Sequence, residues 1–549
     1  MAFDLITSSD SRHSTLQKGF NLRWPLGNVQ GESSSNGASR IYLCHSPQDI
    51  IDAAAEALAL TNGRITVRSG GHCYEGFVSN KMPNSTETLS ILDISQLNQV
   101  VYDVSGQIAS QLVPGSSHRY SFRLGAGGQN WDAYVALYKL ANKSLPGGSC
   151  YSVGLGGHIC GGGYGLLSRK DGLVCDWLSG VDMLVPNAQR NGLIPVHVAR
   201  NSTDQDELDL FAACCGAGGG QFGIITSYYF DSLPDAPTEV LWLVMEWDWS
   251  QLTKLALDKL LTAYQEWFAR NQTNRDTWGL ATKLEMRHRN TGNVTLDVHY
   301  VDKEGGLQDR AAFDDFVTTM LTAIGIPATE CLSQSPMIHL PRSNPAGRTI
   351  NSLASALAAT RRMDWLHCQQ TLNGSGPNQR GRYKSAYQKG RFTPTVLQAI
   401  WDTLTLDDPK KYLTQSLIQI QSFGGQINEA SQAIRGQSSV SQRSSYLKWQ
   451  PQCYWRDESA ASDQAHADWI RGLFFAAFAS GVPLNNEFEG CYINYPDRDM
   501  LFRRGNPSLG PNSQWYEIFF PDATIETRLR KTKQRWDPLN VFHNEMSVP

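Results

Sequence analysis

The chain lacks a long hydrophobic run, a large net charge, paired cysteines and most familiar nucleotide and hydrolase signatures. No apolar stretch approaches the ~18 residues of a membrane span. Its 48 Lys and Arg against 52 Asp and Glu leave a net charge of −4, which provides no basic footprint for nucleic acid or an anionic membrane. A small-molecule substrate is therefore expected, with neither nucleic acid nor membrane as partner. The 11 cysteines are odd in number and form no CxxC pair, which argues against a disulfide framework or structural zinc; no metal site is expected. Met1 to Asp10 has no basic segment leading into an apolar one. The expectation is a cytoplasmic protein, although a mature form trimmed of its signal would read the same, and the six N-x-[S/T] sequons are taken as chance. Internal repeats and low-complexity tails are absent as well.

What is present is length and glycine. At 549 residues, the chain is several times the ~150-residue domain prior, so two large domains are expected. Its 48 glycines exceed the usual ~7% somewhat. They concentrate in Gly147 to Gly165 and Gly216 to Gly223, where the backbone must approach something closely or adopt positive φ.

Apolar spacing predicts a helix over Ser46 to Asn62 and another over Trp131 to Asn142. Strands are expected at Ile65 to Val67, Leu89 to Ile94, Gln99 to Val104, Ser121 to Leu124 and Ile224 to Phe230. From about Pro234 to Asn506 longer amphipathic helices (Leu255 to Arg270, Arg310 to Ile324, Ser462 to Ser480) alternate with strand-like runs (Asn293 to Val301, Tyr412 to Phe423, Ser445 to Trp455). This reads as a second α+β domain. Asn373 to Gly390 reads as a long loop. Ten of the 15 tryptophans fall in this region, suited to core packing or to stacking on a substrate ring.

Glycine turns beside strands usually serve phosphates. Only Gly218-x-Gly220-x-x-Gly223 spells the dinucleotide fingerprint, and it follows a helix-like segment and enters a strand, the reverse of the required context. GxxxxGK[ST], HExxH and GxSxG are missing. Another nucleotide architecture is needed.

Four blocks supply one. Arg68-Ser69-Gly70-Gly71-His72-Cys73-Tyr74-Glu75-Gly76 follows a strand. Gly148-Ser149-Cys150-Tyr151-Ser152-Val153-Gly154-Leu155-Gly156-Gly157-His158 leads to Gly161-Gly162-Gly163-Tyr164-Gly165, and Trp536 to Phe542 stands near the end. In content and order, over almost its full length, the chain resembles the berberine-bridge-enzyme-like branch of the vanillyl-alcohol-oxidase/PCMH flavoprotein superfamily, bicovalent subgroup. The resemblance implies an α+β, two-domain PCMH-type FAD-binding fold with an α+β substrate domain, an antiparallel sheet covered by helices. Residues 1–233 and a C-terminal return, 507–549, would bind FAD, and 234–506 would bind substrate.

By the same resemblance His72 bonds the flavin 8α-methyl group and Cys150 flavin C6. Here Tyr151-Ser152 replace the family's Pro-Thr, and Cys175-Asp176-Trp177 replace its small-Asp-Asn run. The cofactor set also takes in Arg68, Ser69, Gly70, Gly71, Gly76, Gly148, Val153, Gly154, Gly156 and Gly157. His158, Gly163, Gly165, Gly223, Ile225, Asn540 and Phe542 complete it, with a plain structural role open for His158. Cys73 is assigned to packing. Glu489 to Asp497 resembles the family's Y-x-N-Y-x-D strand, so Tyr495 is the expected base, Tyr492 the next choice and Tyr164 a further active-site tyrosine. On a regular strand only one of Tyr492 and Tyr495 could face the flavin. Ser422 to Asn428 and Gln450 to Gln452 resemble segments lining the substrate side.

A phenol of pKa ~10 needs a cation or hydrogen bond to act as a base at neutral pH, and the sequence does not identify that partner. Val153 stands where oxygen-using members carry valine. The expected activity is FAD-dependent oxidation of a secondary alcohol or sugar hydroxyl of a specialised metabolite, with O2 reduced to H2O2. Oxidative cyclisation, and a flavin- or ligand-binding protein without turnover, are the alternatives. Oligomeric state is open.

Overall fold

The computed structural model describes residues 3–26, 36–189, 191–331, 347–372, 374 and 376–548. The first region holds two sheets. In the four-stranded sheet, Arg40–Leu43, Thr88–Asp93 and Gly63–Arg68 run parallel, and Asp4–Thr7 pairs antiparallel at the edge. Parallel neighbours need a crossover. The helix Pro47–Leu58 provides it, started by a Ser46–Asp49 capping box and burying Ile50, Ala53, Ala54 and Ala57. The second sheet is antiparallel and five-stranded, in the order Val100–Tyr102, Phe122–Gly125, Ile224–Phe230, Gly180–Pro186 and Leu193–Ala199. The segment Gly218 to Gly223 does link the helix Gln205–Ala213 to the strand Ile224–Phe230, the connection that argues against a dinucleotide fingerprint.

A ten-stranded antiparallel sheet dominates residues 239–455. Its centre is Glu239–Trp247, Val294–Tyr300, Leu280–Arg287, Ser416–Ser422 and Leu447–Trp455. These strands alternate. Leu284, Ile418, Ile420 and Trp449 are fully buried on one face, under helices that include Lys254–Arg270 and Ala460–Ala477. Lys254–Arg270 buries Leu257, Leu260, Leu261, Tyr264, Trp267 and Phe268, each side chain stabilising by about 1.5–3 kcal/mol. The opposite face carries Lys283, Glu285, Gln419, Gln421, Gln450 and Gln452 and looks into a cavity. Together these sheets give the α+β architecture expected from the motifs.

The segment 507–549 packs back on the first region. Lys533 Nζ donates to the Gln221 carbonyl at 2.6 Å and the Phe542 carbonyl at 2.5 Å. Val548 N–H donates to Gln221 Oε1 at 2.8 Å.

Two expectations fail here. Within Asn373 to Gly390, whose residues 373 and 375 lie outside the described set, Arg380–Tyr383 and Ala386–Gln388 are strands pairing with Leu447–Trp455. Their polar composition suggested a loop because the partners of the charges are remote in sequence: Arg380 binds Asp463 and Arg382 binds Asp499. The Glu489 to Asp497 segment contains no regular strand. Tyr495 N–H donates to the Tyr492 carbonyl at 2.9 Å, closing a turn. The tryptophans of the second region are core or half-buried, and only Trp24 lines the cavity among described tryptophans. No described helix is long and apolar enough to cross a membrane.

Candidate active site

The two glycine blocks meet backbone to backbone. A Cβ on Gly70 would stand 2.2 Å from the Gly154 nitrogen, so neither position accepts a side chain. This contact brings the His72 loop and the Cys150 loop to one cavity, which extends from Phe542, His543 and Met546 to the polar face of the large sheet. Gly157 has nothing within 4 Å of a built Cβ and is solvent-exposed. It leaves open a place where a ligand can lie against the backbone.

Most of the expected cofactor residues line this cavity: Arg68, Ser69, Gly70, Gly71, His72, Gly76, Gly148, Cys150, Val153, Gly154, Gly156, Gly157, His158, Gly165, Gly223, Ile225 and Phe542. The Arg68 guanidinium is engaged elsewhere, donating to Asp93 at 2.6 Å. Ser69 Oγ donates to the Ala126 carbonyl. His158 accepts from the Gly148 N–H at 3.0 Å, so it pins the second glycine block. Two residues do not line the cavity. Gly163 (φ +75) is required where a Cβ would press within 2.7 Å of Val174. Asn540 is exposed and takes a left-handed turn at φ 51, its carbonyl accepting from His543 Nδ1.

His72 stacks on Phe20 with ring centres 4.4 Å apart, and Ser152 Oγ lies 2.8 Å from its Nε2. Ser152, in place of the family's threonine, thus keeps a hydroxyl on this imidazole. Burial pushes the His72 pKa down to about 4, so the ring is neutral near pH 7 and has a nitrogen lone pair for bonding. Cys150 is half-buried, and a Cβ on Gly374 would stand 2.9 Å from its Sγ. Cys73 also reaches the cavity wall, its thiol pKa raised by burial.

Tyr164, Tyr492 and Tyr495 all line the cavity. Because the segment turns, Tyr492 and Tyr495 pack edge to face at 5.0 Å instead of pointing apart. Their rings share one neighbour. Lys448 Nζ lies 4.5 Å from the Tyr164 ring centre, 4.4 Å from Tyr492 and 4.1 Å from Tyr495. Its Nζ is buried without a hydrogen-bond partner, against ring faces that favour the charged form while burial opposes it. Burial lowers the Lys448 pKa well below its ordinary value and raises those of all three tyrosines. Tyr492 OH also accepts from Asn494 Nδ2 at 3.1 Å, while Tyr164 OH donates to the Ser422 carbonyl.

Residues 38–190 match the "FAD binding domain" family model and 491–549 match "Berberine and berberine like". Hexose oxidase of Chondrus crispus is 31% identical, covering 98% of this chain and 94% of its own. Aclacinomycin-N/aclacinomycin-A oxidase of Streptomyces galilaeus is also 31% identical, over 92% and 84%. A solved aclacinomycin oxidoreductase superposes with a TM-score of 0.80 at 28% identity, covering 100% of this chain and 99% of its own. The chain belongs to the berberine-bridge-enzyme-like family of FAD-linked oxidases.

This family member is an FAD-dependent oxidoreductase, and its cavity suits the cofactor. Bare backbone at Gly157 and at Gly220, where a Cβ would find its nearest atom 4.0 Å away, leaves a cradle between the blocks. Sequence reasoning missed Lys448 as the partner of the tyrosines. The available signal was the run Leu447-Lys448-Trp449-Gln450, whose alternation sets a lysine on the same face as Gln450.

Proposed function

We propose that this flavoenzyme is an oxidase of a secondary alcohol or sugar hydroxyl, with Tyr495 as the base that takes the hydroxyl proton. The contact of Lys448 with three tyrosine rings supports this most directly. A lysine cation there stabilises a phenolate against the burial that otherwise disfavours it, and Tyr495, with its ring nearest the ammonium, benefits most. Tyr492 and Tyr164 complete the wall against which the substrate carbon is oriented, and they exclude water from the proton transfer. Bound FAD would supply the hydride acceptor and pass the electrons to O2, giving H2O2.

In this reading His72 and Cys150 hold the flavin covalently, and Val153, a small side chain on the cavity wall, leaves room for O2. Residues 1–233 and 507–549 form the FAD-binding unit and 234–506 the substrate unit. The names of the relatives, hexose oxidase and aclacinomycin oxidase, support a hydroxyl as the reacting group over a carbon–carbon coupling.

The test is acid precipitation of the purified yellow protein, followed by mass spectrometry and a peroxide assay during turnover. Colour should stay with the pellet, with adducts on His72 and Cys150, and Cys150→Ala should lose one adduct. Flavin released entirely into the supernatant would overturn the double linkage, and turnover without peroxide would overturn the oxidase reading.

A further inference from the structure

The torsion that turns an imidazole about its Cβ–Cγ bond is broad and roughly two-fold, so the backbone at His72 fixes neither the plane of the ring nor the edge it shows to the cavity. Two contacts do. The Phe20 ring lies against it with centres 4.4 Å apart and planes 22° from parallel, and Ser152 Oγ stands 2.8 Å from Nε2. The stack sets the plane, and the hydroxyl selects between the two flips. With Nε2 at Ser152, Nδ1 is the nitrogen left to form a bond.

Phe20 is itself anchored. Its N–H donates at 2.8 Å to the carbonyl of Gly71, the residue before His72. A Cβ on Gly19 would stand 2.5 Å from that same oxygen, so only glycine lets the two segments lie this close. Arg68 Nη1 donates to the Leu16 and Lys18 carbonyls. Asn21 Nδ2 and Trp24 Nε1 both donate to the Tyr74 carbonyl, at 2.8 and 2.9 Å. Residues 16–24 thus run as a strap along the whole turn from Arg68 to Tyr74. Phe20 is half-buried on the cavity wall and belongs to neither hydrophobic core of the described residues. Its aromatic face answers to His72, not to the packing of a domain.

We propose that Phe20 is a positioning residue for cofactor attachment, its ring holding the His72 imidazole in the plane in which Nδ1 bonds the flavin 8α carbon. The inference rests on the covalent reading above and names a residue that makes the bond form quickly. In balance, one methyl C–H and the imidazole N–H break and one C–N bond forms. The two electrons and two protons pass through the isoalloxazine to O2, giving H2O2. What the chain adds is geometry. A nitrogen and a carbon held in line react far faster than the same pair free to rotate, and an aliphatic side chain does not reproduce the offset stack that holds this ring.

The full-length chain is produced under riboflavin limitation, supplied with FAD and sampled over time by acid precipitation and peptide mass spectrometry, so that adducts on His72 and Cys150 are counted separately. The key variant is Phe20→Leu. Its His72 adduct should form about tenfold more slowly than in the wild type, the scale of a lost orientation, while the Cys150 adduct keeps its rate and the melting temperature before FAD addition is unchanged. Phe20→Tyr keeps the ring and should attach at close to the wild-type rate. Ser152→Ala, which leaves Phe20 in place, should slow the His72 bond alone.

A His72 adduct that forms at the wild-type rate in Phe20→Leu overturns the proposal. So does equal slowing in Phe20→Leu and Phe20→Tyr, or slowing of both adducts with a lowered melting temperature, which marks a general packing role. Where Phe20→Leu yields no folded chain, Phe20→Met takes its place under the same criteria. A wild-type chain that forms no His72 adduct sinks the covalent reading and this proposal with it. A wild-type adduct with an unaffected Phe20→Leu removes Phe20 alone and leaves that reading standing.

Discussion

Lys448 Nζ lies 4.1 Å from the centre of the Tyr495 ring and is buried without a hydrogen-bond partner. The pair has the same net charge whether the proton rests on nitrogen or on the phenol, so a small change in surroundings can move it. Replacing Lys448 by Met removes the cation that favours phenolate. The base works deprotonated, so activity rises with pH through its apparent pKa. Loss of the cation moves this limb to higher pH, because the Tyr495 phenol is already raised by burial. We expect kcat near pH 7 to fall about 100-fold or more, the scale of a lost proton-transfer catalyst. Lys448→Arg should recover part of it. A pH–rate profile whose limb stays in place would separate Lys448 from the base.

Val153 gives a second prediction. Enlarging it to Leu should slow reoxidation of the reduced enzyme by O2 at least tenfold in stopped-flow mixing and leave anaerobic reduction by substrate unchanged. Equal rates for both proteins would remove Val153 from any oxygen path.

The C-terminal return is tied to the first region through Lys533, Phe542 and Val548. Truncation after Asp537 removes the Phe542 carbonyl that Lys533 binds and the Val548 contact with Gln221. The truncated protein is expected to purify with less than about half of the normal flavin, read from the ratio of visible to ultraviolet absorbance. Full incorporation would show that these residues are dispensable for the cofactor.

A buried ion cluster supports the tyrosine turn. Lys384 Nζ lies 2.5 Å from Asp497 Oδ2 and 3.1 Å from Asp499 Oδ2, with all three side chains at 3% exposure or less. Next to it, Ser385 Oγ accepts from the Tyr492 N–H. Lys384→Met strands the Asp497 carboxylate in the interior, while Asp499 keeps Arg382 and Arg471; a loss of about 3–5 kcal/mol is expected, measured as a lowered urea midpoint. Adding Asp497→Asn should restore part of it, since the uncompensated charge is then gone.

Much of this was legible in the sequence. Periodicity placed the helix at 254–270 and the strands at 224–230 and 294–300 to within a residue or so, because their apolar stripes are local. The glycine blocks and His72, Cys150 and the tyrosines fell on one cavity. What escaped depends on remote partners. Lys448 reads as an ordinary strand lysine until three rings from other segments close over it. Arg380 to Tyr383 reads as loop until Asp463 and Asp499 are brought alongside. The turn at Tyr492 to Tyr495 was mistaken for a strand because tyrosine favours sheets and the residue before Pro496 favours extended backbone.

Opposite sides of the cavity come from separate stretches of chain, glycine turns on one side and a single sheet face on the other. Exchanging a few side chains along that sheet can therefore redirect which molecule is accepted while the glycine-lined half is left as it was. An architecture divided this way lends itself to diversification by drift on one wall, and to laboratory retargeting by the same route.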